Sequence, residues 1–389
     1  MHKPPFCPNP QCVNHKYVLK ENKYNWYAKD GFYSSKIFGR IQRYKCKNCK
    51  IRFSIQTFSI DYYAKKKVNY QNLLKELIST SSISDMSRRF KVSHNTVLNK
   101  IRRLSRQAIA ANSILRENVS LHEPFVSDGF ESLAVNFYYP NNINIAVGGT
   151  SLFFYQFNYS VIKRTGILSD KQQKERTHYE SIWKADTKSV EYAFNDLLFE
   201  LLKLPSTSSK RFPIDLYTDK KLEYERAINN DKWLQTLYKA NILRHFKISS
   251  KEPRTINNPL FPVNYMDRQF RKDLAEHVIK SVCFGKNVNN QMERLYIYQF
   301  YHNFLKKSRA REKLFITHSQ LAGVPDTIRK FHLKRLFTSR YFITRLNLSD
   351  TEKKCWFRGY ETPLKFSKEY IPKYYESTLH PLLYEKWCA

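Results

Sequence analysis

Three aspartates, Asp128, Asp219 and Asp267, stand far apart in the chain, and each lies beside a stretch that reads as regular structure. Carboxylates brought together from separated elements can hold two hard cations, Mg2+ or Mn2+, about 3.5–4 Å apart. Such a pair activates a water or a 3′-hydroxyl on one side of a phosphorus and stabilises the oxygen leaving on the other. Each acid also has a plainer explanation. Asp128 precedes Gly129 and suits a turn, Asp219 can cap a following helix, and Asp267 suits the electropositive first turn of one. A second constellation is Cys7-x4-Cys12 with Cys46-x2-Cys49, which hold four of the seven cysteines within the first 49 residues. Two close pairs far apart in sequence suit a tetrahedral four-thiolate zinc site, and Lys45, Lys47 and Lys50 favour thiolate at the second pair. His15, three positions beyond Cys12, can replace one thiolate. An odd cysteine total argues against a secreted disulfide framework.

The elements that must position these groups follow from periodicity. Val68–Thr80 carries a helical apolar stripe, and Ile83–Phe90 reads as a second short helix. Lys91-Val92-Ser93 is a tight turn, and Ser93 can cap a third helix, His94–Arg103. Val97, Leu98 and Ile101 face inward there. His94, Asn95, Thr96, Asn99 and Lys100 point outward, and with Arg102 and Arg103 they form a set suited to base edges and phosphates. Ile109–Glu123 reads as a connector. Strands are expected at Phe125–Asp128, Ile143–Val147 and Ser151–Phe157, the last two divided by Gly148-Gly149. A helix over Thr187–Lys203, a strand Phe212–Asp219, a helix Leu222–Leu237, a strand Ile242–Ile248 and a helix Asn264–Lys280 complete the pattern. Three strands, helix, strand, helix, strand, helix is the element order expected of a ribonuclease H-like α/β core.

Composition narrows the class. There are 67 Lys and Arg against 34 Asp and Glu, a formal charge of +33, with 42% hydrophobic and 15% aromatic residues. The apolar share can fill a core, which excludes a disordered basic tail, and the surplus of one sign points to a polyanion, nucleic acid first. No apolar run approaches the ~18 residues of a membrane helix, and Met1–Pro5 lacks a secretory stretch. A cytoplasmic protein without membrane attachment is therefore expected. Asn289–Lys307 reads as a helix whose aromatics, Tyr296, Tyr298, Phe300, Tyr301 and Phe304, suit base stacking or core packing. Thr327–Leu336 is a basic helical stretch.

At these residues the chain resembles prokaryotic insertion-sequence transposases of the DDE class, the type with an N-terminal zinc ribbon and helix-turn-helix. The matching stretches are Cys7–His15, Gln42–Cys49 through Gln56-Thr57-Phe58-Ser59, Ser87–Phe90, Asp128-Gly129, Tyr217-Thr218-Asp219 and Asn264–Lys272. The resemblance implies a multidomain α/β protein: a zinc ribbon over residues 1–60, a helix-turn-helix over 61–108, a ribonuclease H-like catalytic core over 120–307 and a basic, helical C-terminal region over 308–389. It implies Mg2+-dependent (or Mn2+-dependent) cleavage at the ends of a mobile element and attack of the freed 3′-hydroxyl on target DNA, with Zn2+ in the ribbon. Asp128, Asp219 and Asp267 would be the metal-binding triad. The third family position is often Glu, so Asp267 is a departure, and Glu293 and Glu276 are the alternatives. Arg271, one turn after Asp267, would hold a phosphate or pair with a carboxylate. The partner is double-stranded DNA, at element ends and target, bound by a homodimer or larger assembly associated with the nucleoid. Two other functions fit the same residues: a non-catalytic DNA-binding regulator, and a nuclease that cuts without joining.

Overall fold

The computed structural model describes residues 3–16, 25–204, 213–278, 283 and 285–364. A short helix α1 (Val13–Lys16) precedes three antiparallel strands, β1 (Tyr27–Ser35), β2 (Gly39–Cys46) and β3 (Arg52–Ser54), in the order β1-β2-β3. Trp26 stacks on Phe53 at 5.6 Å, and Tyr44 stacks on the same ring at 5.8 Å, beside the cysteines. This is a small cluster for an independent unit, and a metal is the usual remedy at that size.

Three helices follow: α2 (Tyr70–Leu77), α3 (Ile83–Phe90) and α4 (His94–Arg116). Each starts where a side chain can take up a free backbone amide: Asn69 for α2, Ser82 for α3 and Ser93 for α4. Lys91, at φ 51°, ends α3 in the left-handed region. The connector expected from Ile109 is not one. α4 continues through it to Arg116 with no Gly or Pro to stop it, so no break falls near residue 108. The continuation is held by burial: Leu104, Ala108, Ile109, Ala111 and Leu115 are all fully buried.

The larger unit comprises β4 (Phe125–Leu133), β5 (Pro140–Gly148), β6 (Phe154–Val161), α5 (Asp170–Ile182), α6 (Ser189–Leu202), β7 (Ile214–Asp219), α7 (Leu222–Asn230), α8 (Lys232–Lys239), β8 (Leu243–Ile248), α9 (Phe261–Asp273) and α10 (Val288–Phe304). Its five strands form one mixed sheet in the order β6-β5-β4-β7-β8. β4, β5 and β6 pair antiparallel through short connections, whereas β7 and β8 join after helices and pair parallel. Alternation then sorts the side chains by face. Phe125, Ala146 and Leu216 pack with Phe194, Leu197 and Leu201 of α6. Val126, Phe130, Ile145 and Val147 pack on the other side with Met266 and Phe270 of α9 and Met292 and Tyr296 of α10. Ile109 and Ala110 of α4 belong to this second cluster.

Two expected helices have different limits. The stretch Leu222–Leu237 is divided because Asp231 accepts from the amides of Trp233 and Leu234 and starts a new helix. The helix expected to reach Lys280 begins at Phe261, with Pro262 in its first turn, and ends at Asp273. Lys280 itself lies outside the described residues.

The C-terminal region adds α11 (His318–Leu321), α12 (Asp326–Leu336) and α13 (Asp350–Phe357). In its described part it fastens the units together. The Arg340 amide donates to the Phe58 carbonyl (2.8 Å), and the Ile60 amide donates to the Thr338 carbonyl (3.1 Å). Phe342 meets Phe6 edge-on at 5.1 Å. On the far side, Glu352 of α13 makes a buried ion pair with Arg116 of α4 at 3.0 Å, and Arg106 donates to the Trp356 carbonyl.

Candidate functional site

Register places the first two aspartates. β4 and β7 pair Val126 with Tyr217 in parallel, so Asp128, in the middle of β4, and Asp219, at the end of β7, each two residues further on, lie on the same face of adjacent strands. That face is the one covered by α9, since Val126 and Tyr217 both pack in the α9 cluster. α9 is anchored there by Met266 and Phe270, whose ring meets Phe130 at 5.2 Å. Asp267 follows Met266 and is close enough to Asp128 to feel its charge. The third acid thus arrives from a different element, as expected.

Electrostatics links the three in sequence, Asp219 acting on Asp128 and Asp128 on Asp267. Burial, then the charge of Asp219, pushes Asp128 up to about 6, while the Gly129 amide, Lys221 and the Tyr224 hydroxyl oppose the shift. Burial, then the charge of Asp128, pushes Asp267 up to about 7, against Arg271 and Arg254. Asp267 Oδ1 is sealed from solvent and has no hydrogen-bond partner among the described residues. Asp128 Oδ1 takes the Gly129 amide (2.7 Å) and the Tyr224 hydroxyl (3.5 Å), and Asp219 Oδ1 takes the Lys221 amide (3.0 Å). Lys221 Nζ is held by Asn142 Oδ1 at 3.2 Å, on the neighbouring strand. Tyr224, Lys221 and Asn142 are not marked by the sequence. Lys221 and Tyr224 follow Asp219 within five residues, but neither type is diagnostic, and Asn142 joins only through strand pairing.

The alternative third acids are committed elsewhere. Glu293 is buried on α10 and pairs with Arg358, with Arg102 at 3.9 Å. Glu276 pairs with Arg294 at 2.8 Å. Arg271 lies over the Phe130 ring at 4.9 Å, close enough to favour the charged form of Asp267.

The four expected cysteines converge: the Sγ atoms of Cys7, Cys12, Cys46 and Cys49 all lie within 4.8 Å of one another. Among the described residues no other group of His, Cys, Asp and Glu is gathered so tightly, so the aspartates are a more open set. Burial pushes the Cys7 thiol up, a cost that a bound cation would reverse. Asn48 and Asn14 aim amide donors at Cys12 and Cys46, at 3.7 and 3.9 Å. Four sulfurs with donors behind them fit Zn2+. His15 is not an alternative ligand, because its ring nitrogens meet the Cys7 carbonyl (2.7 Å) and the Thr344 hydroxyl (2.8 Å).

At the start of α4, His94, Asn95 and Asn99 are exposed or half-buried, as is Thr96. Lys100 is not outward. It is buried and ion-paired with Asp61, which lies in the segment leading to α2. Arg103 turns inward as well, donating to the carbonyls of Ile60 (2.9 Å) and Tyr62 (2.7 Å). Arg102 is mostly covered and lies near Glu293. The outward set holds for a ten-residue helix standing free, whereas α4 turns these positions toward the segment before α2 and toward α10. The aromatics of α10 are core: Tyr296, Tyr298, Phe300 and Phe304 are fully buried. No family model matches the chain, and neither does any curated protein. Among the described residues no helix is long and apolar enough to cross a membrane.

Proposed function

We propose that this protein is a DDE-class transposase that cleaves the ends of its own DNA element and transfers the freed 3′-hydroxyl to target DNA. The observation that carries the reading is the approach of Asp128, Asp219 and Asp267 on the face of the sheet that α9 covers, where burial first, and then the charge of Asp219 on Asp128 and of Asp128 on Asp267, raises two of the pKa values. Buried neighbouring acids with raised pKa values are a mark of functional sites, and a bound cation would relieve both the burial cost and the repulsion. The antiparallel β4-β5-β6 run on one side of the sheet, with β7 and β8 added in parallel on the other side of β4, supports a ribonuclease H-like core for these residues.

The partnerless Asp267 Oδ1 and the carboxylates of Asp128 and Asp219 suit divalent cations with oxygen ligands. Bound there, Mg2+ or Mn2+ would supply an activated oxygen nucleophile and charge relief at the leaving oxygen. The chain's own residues do the positioning. The Gly129 amide and Tyr224 hydroxyl fix one oxygen of Asp128, which leaves its other oxygen for a cation. Gly129 leaves room for the Asn142 side chain, which in turn holds Lys221. Lys221 and Arg271 bring cationic groups to the rim, where a phosphate backbone can seat. The exposed start of α4 supplies His94, Asn95 and Asn99 for the major groove, and the four-cysteine ribbon holds Zn2+. Double-stranded DNA is the partner, and joining two element ends calls for at least two copies.

The test is a labelled duplex carrying the DNA that flanks the gene, incubated with Mg2+. Wild type should nick the ends and join them to a target plasmid. Asp128→Asn, Asp219→Asn and Asp267→Asn should bind the duplex and leave it intact. Full cleavage by Asp219→Asn would overturn the assignment, and cleavage without joining would reassign the protein as a nuclease.

A further inference from the structure

A cleft of about 560 Å3 opens between the ribbon, the middle of α4 and the C-terminal segment around Arg340–Thr344, and no residue of the aspartate pocket lines it. Its volume is that of a small-molecule site (roughly 300–1,000 Å3), too small for a duplex and large enough for a short unpaired strand. Five guanidinium groups line it, those of Arg43, Arg52, Arg103, Arg106 and Arg340, and among the described residues of the lining none is Asp or Glu. Arg52 reaches Asp30 outside the lining at 2.9 Å. Arg340 is fixed in place, lying 3.7 Å over the Tyr62 ring and 4.6 Å over Phe342. Guanidinium held flat against aromatic rings keeps its edges free to donate to phosphate oxygens.

The cleft also presents an exposed ring, which meets Tyr62 edge-on at 6.3 Å. Tyr63 is 78% exposed, the opposite of the neighbouring Tyr62, which is 6% exposed. It sits at φ 51°, in the left-handed region that a bulky residue rarely adopts. An exposed aromatic beside fixed arginines is the combination that binds unpaired nucleotides: stacking takes the base, and cations follow the backbone.

We propose that this cleft binds an unpaired DNA strand, with Tyr63 as the stacking platform and Arg43 and Arg340 as phosphate contacts. The inference stands on the cleft alone and holds whether or not the aspartates cleave DNA.

Fluorescence anisotropy of labelled oligothymidylate, without added divalent cation, tests it on the full chain. A hairpin duplex of equal length serves as the comparison. Tyr63→Asn removes the ring and suits the left-handed backbone, so folding is preserved, which thermal melting checks. It should weaken oligothymidylate binding at least about fivefold and leave the duplex unaffected, and Tyr63→Phe should restore it. Arg340→Gln should lower the salt dependence of oligothymidylate binding by about 0.7 in the log–log slope. Unchanged oligothymidylate binding by Tyr63→Asn, or an equal loss on the duplex, would overturn the proposal. Tighter binding of oligouridylate than oligothymidylate would overturn the choice of DNA.

Discussion

Replacing Asp267 by Asn removes one negative charge from a pocket that holds three. Asp267 is held at about 7 against an ordinary 3.8, an interval equivalent to about 4 kcal/mol of destabilisation once it is ionised. Burial is the larger cause and the charge of Asp128 the next, and a buried Asn amide keeps part of the burial cost, so we expect Asp267→Asn to gain roughly 2 kcal/mol near pH 8. The sign follows from proton binding. The folded state holds the Asp267 proton more tightly than the unfolded chain, so its stabilising contribution is complete below about pH 4 and lost as pH rises through about 7. The two proteins should therefore melt together near pH 4, and the variant should melt several degrees higher near pH 8. Added Mg2+ should reverse the order by stabilising wild type alone, by about 2.7 kcal/mol at a hundredfold excess over its dissociation constant. Thermal denaturation across this pH range, with and without Mg2+, gives the answer. A variant less stable than wild type at pH 8, or a gap that does not widen with pH, would refute the electrostatic argument.

Elemental analysis should find one zinc per chain, and Cys46→Ser should lose it and unfold the ribbon, seen as a change in Trp26 fluorescence. Glu352→Ala should cost about 3–5 kcal/mol in denaturant unfolding by stranding Arg116, and an Arg116→Met/Glu352→Leu double variant should recover most of it. Asn95→Ala and Asn99→Ala should weaken sequence-specific duplex binding by about 1–3 kcal/mol each without altering stability. Lys100→Ala should do the reverse, lowering stability by leaving Asp61 unpaired.

The residues whose chemistry is carried by type and spacing are legible in the sequence itself. The two cysteine pairs meet as their spacing implies, the strands bearing Asp128 and Asp219 lie side by side, and Ser93 caps the helix after the tight turn. These signals are local or periodic. The features that sequence hides depend on tertiary partners. Lys100 looks solvent-facing on an isolated helix, and only the fold brings Asp61 against it. The continuation of α4 is hidden because its second half, rich in Ala and Ser, has weak amphipathic contrast and is buried nearly all round. The fastening role of residues 338–345 rests on backbone hydrogen bonds and ring contacts, which composition does not announce. Glu293 and Asp267 are told apart only by what faces them, Arg358 in one case and Asp128 in the other.

The unbroken α4 has a consequence for measurement. Its 23 residues span about 35 Å, close to one turn of B-form DNA. One end carries the exposed His94 and Asn95, and about 22 Å further along Ile109 and Ala110 pack beside the aspartate-bearing face. On the transposase reading the helix is then a ruler, fixing the offset in base pairs between the sequence read and the bond cut. A flexible linker would blur that offset, whereas a rigid rod carries it in phase with the DNA. Inserting one residue in the middle of α4 would turn its reading end by about 100° and move the cut or abolish it.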